Sequence, residues 1–176
     1  LGFDHAVDGA ITVDGQTHDF TGGRGYIEKD WGKAFPQAWV WMQTNHFTQG
    51  HTCLTASVAI IPWMRSAFAG FIVGFWQDGN LHRFSTYANS RILALEVDDQ
   101  HVRWQMRNNT HRLEIVATQA EGGLLHAPTP EGMGRRIAET LSAIMHVCLI
   151  NLKSGDGEFD GGGEFAGLEA VGDLEK

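Results

Sequence analysis

Apolar and polar residues alternate at period two along most of this chain, in short runs separated by turn residues. That cadence predicts strands rather than helices. Ala10 to Val13 and Thr17 to Phe20 flank Asp14-Gly15, a strong hairpin signal. Ala38 to Phe47 and Thr52 to Ile61 flank Gln49-Gly50, and Phe71 to Trp76 and Leu81 to Tyr87 flank Asp78-Gly79-Asn80. Ile92 to Val97 and His101 to Arg107 are separated by Asp98-Asp99-Gln100, after which Asn108-Asn109 turns the chain into His111 to Thr118. Strand, tight turn and strand in this rhythm predict an all-β fold. The expected form is an antiparallel up-and-down barrel or strongly curved sheet of about eight to ten strands.

Two segments depart from the rhythm. Arg135 to Leu152 opens with helix-forming residues and continues as Ala143-Ile-Met-His-Val-Cys-Leu-Ile, β-branched and aliphatic like a buried strand. It reads as mostly strand, with at most one short helix near Arg135 or in the tail. Residues 153–164 mix glycines with Asp156, Glu158 and Asp160 and read as a flexible loop; the calcium-loop ligand order is absent. Phe165 to Leu174 is apolar enough to return as a last strand or short helix. At 176 residues the whole, 1–176, is expected to be one domain.

A formal charge of −8 with no basic stripe argues against nucleic acid. Cys53 and Cys148 sit far apart in strand-like runs, as buried free thiols would, which favours a reducing, cytoplasmic setting. The longest apolar run, Ala67 to Trp76, is interrupted by Gly70 and Gly74 and falls short of the ~20 residues of a membrane span. The first residue is Leu1, without a signal pattern, so the expectation is an excised segment lacking an N-terminal partner domain. Nine histidines form no HxH or HExxH pair, so no metal site is expected from spacing, and only convergence through the fold could make one. No nucleophile elbow, P-loop or dinucleotide fingerprint is present in the sequence, and no cofactor is expected.

The densest chemistry lies between Gly25 and Phe47. On a strand, Tyr26, Glu28 and Asp30 share one face, with Ile27, Lys29 and Trp31 on the other. Trp39, Trp41, Gln43 and Asn45 likewise share a face, opposite Ala38, Val40, Met42 and Thr44. Small aliphatics make a packing surface, whereas indoles and amides make a surface for a ligand. The competing reading is the interior of a barrel with satisfied amides. A carboxyl facing such a lining has its charged form disfavoured, and a neutral acid can protonate a substrate. Structural alternatives are pairing of Glu28 with Lys29 or Arg24, and a turn cap by Asp30 at Gly32.

Tyr26-Ile-Glu-Lys-Asp-Trp-Gly32, then Phe35-Pro36, then Trp39-Val-Trp-Met-Gln-Thr-Asn45, resembles the central signature of the tocopherol cyclase family. The usual pattern there is close to YIEKNWG, FP and WFWVQCN. Ala127-Pro128, Gly132-Met133, Glu139-Thr140 and Gly167-Leu168-Glu169 are similar to that family's C-terminal half, so the resemblance runs from about Gly22 to the end. It implies a lipocalin-like β fold, shared with carotenoid hydratases, and a prenylated aromatic substrate. It further implies closure of the chromanol ring of vitamin E: a prenyl double bond is protonated and the phenol oxygen attacks, without a redox cofactor.

On that resemblance Glu28 is the proton donor, Tyr26 orients or relays the proton, and Asp30 is a supporting or alternative acid. Trp31, Trp39 and Trp41 line the pocket or stabilise the carbocation, and Gln43 and Asn45 hold the phenol. Trp31 needs a bend at Gly32 to reach that lining. Two departures stand out: Asp30 replaces the more usual Asn, and the chain is about half the length of a full cyclase, as its C-terminal half would be. Two functions follow. One is an intramolecular C–O cyclase acting on a prenylated quinol. The other is a non-catalytic, lipocalin-like binding protein for isoprenoid or other hydrophobic small molecules. Either draws its ligand from a membrane, which implies peripheral membrane contact.

Overall fold

The computed structural model describes residues 1–31, 35–129 and 131–174. Every helix or strand within them is a strand: β1 (Gly2–Val7), β2 (Ala10–Val13), β3 (Gln16–Asp19), β4 (Gly23–Ile27), β5 (Trp39–Thr44), β6 (His46–Phe47), β7 (Thr52–Trp63) and β8 (Ser66–Gln77). There follow β9 (Asn80–Ser85), β10 (Arg91–Val97), β11 (His101–Arg107), β12 (His111–Thr118), β13 (Gly123–Thr129), β14 (Gly132–Asn151) and β15 (Gly157–Val171). The turns are made as the sequence implies. Asp14 and Gly15, with φ of 51° and 80°, close β2 on β3, and Asp78 and Gly79, at 46° and 87°, close β8 on β9. Two successive positive φ values match the twist of the flanking strands.

Eleven strands form one sheet in the order β10-β11-β12-β14-β15-β5-β7-β8-β9, with β13 added to β14 and β6 to β15; β1-β4 and β2-β3 are separate two-stranded ribbons. The main sheet therefore exceeds the expected eight to ten strands. Among the described residues no ladder joins β9 to β10, so the barrel is not closed by hydrogen bonds. The sheet nevertheless curls. β9 lies six strands from β12 in the order, roughly 29 Å away in a flat sheet. Yet the rings of His82 (β9) and His111 (β12) are 4.7 Å apart, and Phe71 (β8) meets Trp104 (β11) edge-on at 6.1 Å. Asn108 also donates to the Arg83 carbonyl at 3.2 Å across the same seam.

The main core lies inside this curl. β5 gives it Val40 and Met42, β7 Leu54, Ala56 and Val58, β8 Val73 and Phe75, and β11 and β12 Trp104, Met106, Leu113 and Ile115. The alternate positions point outward, where Trp39, Ala127 and Ile137 build a smaller cluster with Trp41, Ala59 and Val171. The two faces of β5 are thus sorted as their alternation predicts.

β14 is strand throughout, with no helix at Arg135, and β15 runs through most of the segment read as a flexible loop. Only residues 152–156 turn. The glycines there are small because neighbours press on them. A Cβ on Gly163 would lie 2.7 Å from Thr44 Cγ2 and 3.1 Å from the Phe47 ring. Gly163→Ala is therefore expected to cost about 1–3 kcal/mol through overpacking, measured as a fall in the urea midpoint at unchanged slope. The tail, read as strand or short helix, completes β15 as strand. Cys53 is buried, but Cys148 is only half-buried, on the outer side of β14.

Two irregularities decide which side chains face out. Between Thr140 and Ala143, β14 advances three residues while β15 advances two; between Ala143 and Met145 the excess passes to β15. Each extra residue reverses the faces of its own strand. Odd residues of β14 before the bulge, such as Ile137, belong to the outer cluster, and odd residues after it, Ala143, Met145, Val147 and Leu149, belong to the inner core. Phe165, at the second bulge, carries a positive φ of 48°.

Candidate active site

The β1-β4 ribbon lies on the outer face of the main sheet. Phe3 stacks on Trp76 of β8 at 6.2 Å and meets Tyr26 of β4 edge-on at 5.7 Å. Gly74 makes room for it, since a Cβ there would stand 2.6 Å from Phe3 Cζ. Anchored this way, the chain leaving β4 carries Glu28 across β5 and β7. One oxygen of Glu28 accepts three hydrogen bonds: from Tyr26 Oη at 2.5 Å, Trp41 Nε1 at 3.1 Å and Thr55 Oγ1 at 3.3 Å. Burial, and then the bond to Glu28, raise the Tyr26 pKa, so its hydroxyl stays protonated. Asp30 stands at the mouth of the site. Partial burial of its carboxyl, and next the charge and hydrogen bond of Glu28, raise its pKa above the usual aspartate value.

The opposite wall comes from β15 and β14. Cross-strand register sets Glu169 against Trp41 and Val171 against Trp39. Trp39 Nε1 donates to Glu169 Oε2 at 2.6 Å. Burial raises the Glu169 pKa, the Trp39 hydrogen bond works against it, and the charge of Glu139 adds to it. Between the walls is a cavity of about 300 Å³, lined by Glu28, Asp30, Trp39, Trp41, Glu139 and Glu169 together with Phe35, Pro36, Ser57, Ala59 and Ile72. Acid groups thus meet an aromatic and aliphatic lining in one place, on the outside of the curl rather than in a barrel interior. An acid whose folded pKa is raised stabilises the fold below its unfolded value, and that contribution is lost as pH climbs towards the folded value. Glu169→Gln, which keeps an acceptor for Trp39, should therefore raise Tm near pH 7 and leave it unchanged at pH 3, read by calorimetry.

Tyr26, Glu28, Asp30, Trp39 and Trp41 are brought together, Trp39 and Trp41 by the alternation of β5. But β4 ends at Ile27, so Glu28 and Asp30 lie beyond the strand on which alternation had set them with Tyr26. The environments of the five also differ. The guanidinium of Arg135 lies 4.9 Å over the Trp39 ring and donates to the carbonyls of Pro36 and Gln37, both at 2.8 Å. Trp39 is a 5 % exposed wall that already carries a cation, whereas Trp41 is only half-buried beside the cavity. Trp31 is 89 % exposed and outside the lining; the bend invoked at Gly32 falls outside the described residues. Gln43 and Asn45 share the outward face without reaching the cavity. Gln43 Nε2 contacts Cys53 Sγ at 3.8 Å, and Asn45 Nδ2 donates to the Arg24 carbonyl at 3.2 Å, so both amides tie strands together. Arg24 pairs with Asp4 at 3.2 Å instead of with Glu28. Burial pushes the Cys53 thiol up to about 12, against the Gln43 hydrogen bond, which leaves it a poor nucleophile.

Glu139 and Glu169 are site acids that spacing alone did not reveal. Glu169 had a signal: it is an acid in the otherwise apolar run Ala166 to Val171, one step out of phase with core Leu168. Glu139 had none, because its outward face depends on the bulge.

The family model described as tocopherol cyclase-like matches residues 4–172. The maize (Zea mays) protein "Tocopherol cyclase, chloroplastic" is 32 % identical over 130 residues, covering 70 % of this chain and 27 % of its own. The rice (Oryza sativa subsp. japonica) protein "Probable tocopherol cyclase, chloroplastic" is 30 % identical over 129 residues, with the same coverage. The chain thus spans about a quarter of the length of these relatives, less than the half expected, and their named compartment differs from the cytoplasmic expectation. No solved structure matches. Among the described residues no helix is long and apolar enough to cross a membrane. With a match that extends over nearly all of its length, the chain belongs to the tocopherol cyclase-like family.

Proposed function

We propose that the cavity catalyses acid-promoted ring closure of a prenylated quinol, with the Glu28–Asp30 pair as its proton source. The observation that carries this reading is that Glu28 and Asp30 line one cavity together with Trp41 and an apolar wall. Glu28, occupied by three donors, is the fixed partner, and Asp30, with the raised pKa, carries the transferable proton. Asp30 protonates the less substituted carbon of the proximal prenyl double bond. The tertiary cation faces the indole of Trp41, whose orientation its bond to Glu28 fixes. The phenol oxygen closes on the cation, and the carboxylate pair takes up the phenol proton. Substrate and product are isomers, so no other reactant is consumed.

A cavity of about 300 Å³ holds the quinol ring and the first isoprene unit, with the tail leaving through the mouth. Ile27 and Trp31, 62 % and 89 % exposed, flank the acid residues and suit a peripheral encounter with the membrane that holds such a substrate.

Incubation with a prenylated quinol in deuterated water tests the mechanism. One deuteron should enter the new ring at the carbon adjacent to the ether-bearing carbon. Ring closure without that label would exclude alkene protonation. Tight binding without turnover would instead favour the carrier.

A further inference from the structure

The seam of the curled sheet holds a second cluster that the cyclase chemistry does not use. His82 of β9, His111 of β12 and Glu158 of β15 place their ligand atoms within 4.8 Å of one another. These residues are 29 and 47 positions apart in sequence, and only the curl of the sheet assembles them. We propose that this cluster is a divalent transition-metal site, suited to zinc, which clasps the open seam.

The donor set and its supports fit that use. Two imidazoles and one carboxylate, with a fourth position left for water, make a zinc-binding set. The two-histidine composition disfavours magnesium or calcium, which take oxygen ligands. His111 Nε2 already lies 2.8 Å from Glu158 Oε2, and its other nitrogen, Nδ1, is held at 2.8 Å by Thr110 Oγ1. Asn151 Nδ2 donates to the second Glu158 oxygen at 2.7 Å. Both supporting bonds leave the inward atoms free for a metal, as outer partners do around metal ligands. The ring of Phe75, 6.2 Å from that of His82, gives the cluster an apolar floor. Tetrahedral zinc needs ligand atoms about 3.4 Å apart, from bonds of about 2.1 Å. To reach that spacing the His111–Glu158 pair opens from 2.8 Å and His82 closes on both from within 4.8 Å. Bound there, one ion links β9 to β12 and β15, strands that no backbone ladder joins across the seam.

His146, Cys148 and Asp160 form another cluster within the same distance limit, and the test must separate the two. The EDTA-stripped chain is titrated with zinc chloride alone, following heat, Tm and the imidazole proton resonances. One equivalent should bind, the resonances of His82 and His111 should move together, and Tm should rise by roughly 5–10 °C at zinc about 100-fold above Kd. His82→Ala and Glu158→Gln should each weaken binding at least tenfold, whereas His146→Ala should not. Absence of saturable binding below about 100 µM would overturn the proposal. So would binding lost in His146→Ala but kept in His82→Ala. If His82→Ala fails to fold, the resonances of the unmutated chain decide, since zinc elsewhere leaves His82 and His111 unmoved.

Discussion

Asp30→Asn, which installs the residue more usual at this place in the family pattern, should lower chromanol formation by leaving Glu28 as the lone acid, and loss of both acids should cost roughly a hundred- to ten-thousandfold, the usual worth of a positioned general acid. The amide keeps the shape of the side chain and removes its transferable proton. Structure should not suffer: with its pKa raised in the fold, Asp30 costs stability near neutral pH, so the variant should melt at the parent temperature or slightly above. The pH–rate profile supplies a sharper check. An acid must be protonated to act, so the parent rate should fall as pH rises through the elevated Asp30 value. Glu28→Gln removes the charge and hydrogen bond that help raise that value, and the fall should then move to lower pH. An Asp30→Asn protein that closes the ring at the parent rate would remove Asp30 from the mechanism.

Trp104→Ala is expected to cost about 3–5 kcal/mol, the largest stability effect of any single change proposed for this chain. Trp104 is fully buried and meets Phe71 from the far side of the seam. Since no ladder closes that seam, side-chain packing carries the curl, and its loss should show as a lower denaturation midpoint or a broadened transition. Trp104→Phe should cost much less. The indole Nε1 is buried without a hydrogen-bond partner, so phenylalanine removes an unsatisfied donor while keeping most of the ring. Equal losses in the two variants would mean that the indole has a role beyond filling space.

What the sequence made legible follows from what is local. Asp14-Gly15 and Asp78-Gly79 announce their turns because the required positive φ is a property of those residues. The division of β5 between Val40 and Met42 inside and Trp39 and Trp41 outside follows from period-two geometry. Tyr26 and Glu28 stand together because they are two residues apart. The failures concern contacts between distant segments. Residues 153–164 looked like a loop because glycine is rare in strands, yet Gly161 and Gly163 are demanded by Gln49, Thr44 and Phe47, which alternation cannot place nearby. Gln43 and Asn45 were on the expected face, but only the path of β4 and the position of Cys53 decide what they bind. Glu139 depended on a register shift that no residue in β14 advertises.

The extra residue in β14 separates two jobs that share one strand. Before it, the odd-numbered side chains face outward, Ile137 into the smaller cluster behind the cavity and Glu139 into the cavity itself; beyond it, those of Met145, Val147 and Leu149 answer to the interior. Variation at Glu139 can therefore reshape the cavity wall without disturbing the inner packing on which folding depends. A lineage exploring new substrates, or a designer doing so by library, has in β14 a boundary drawn by the backbone between positions free to diverge and positions that must be kept.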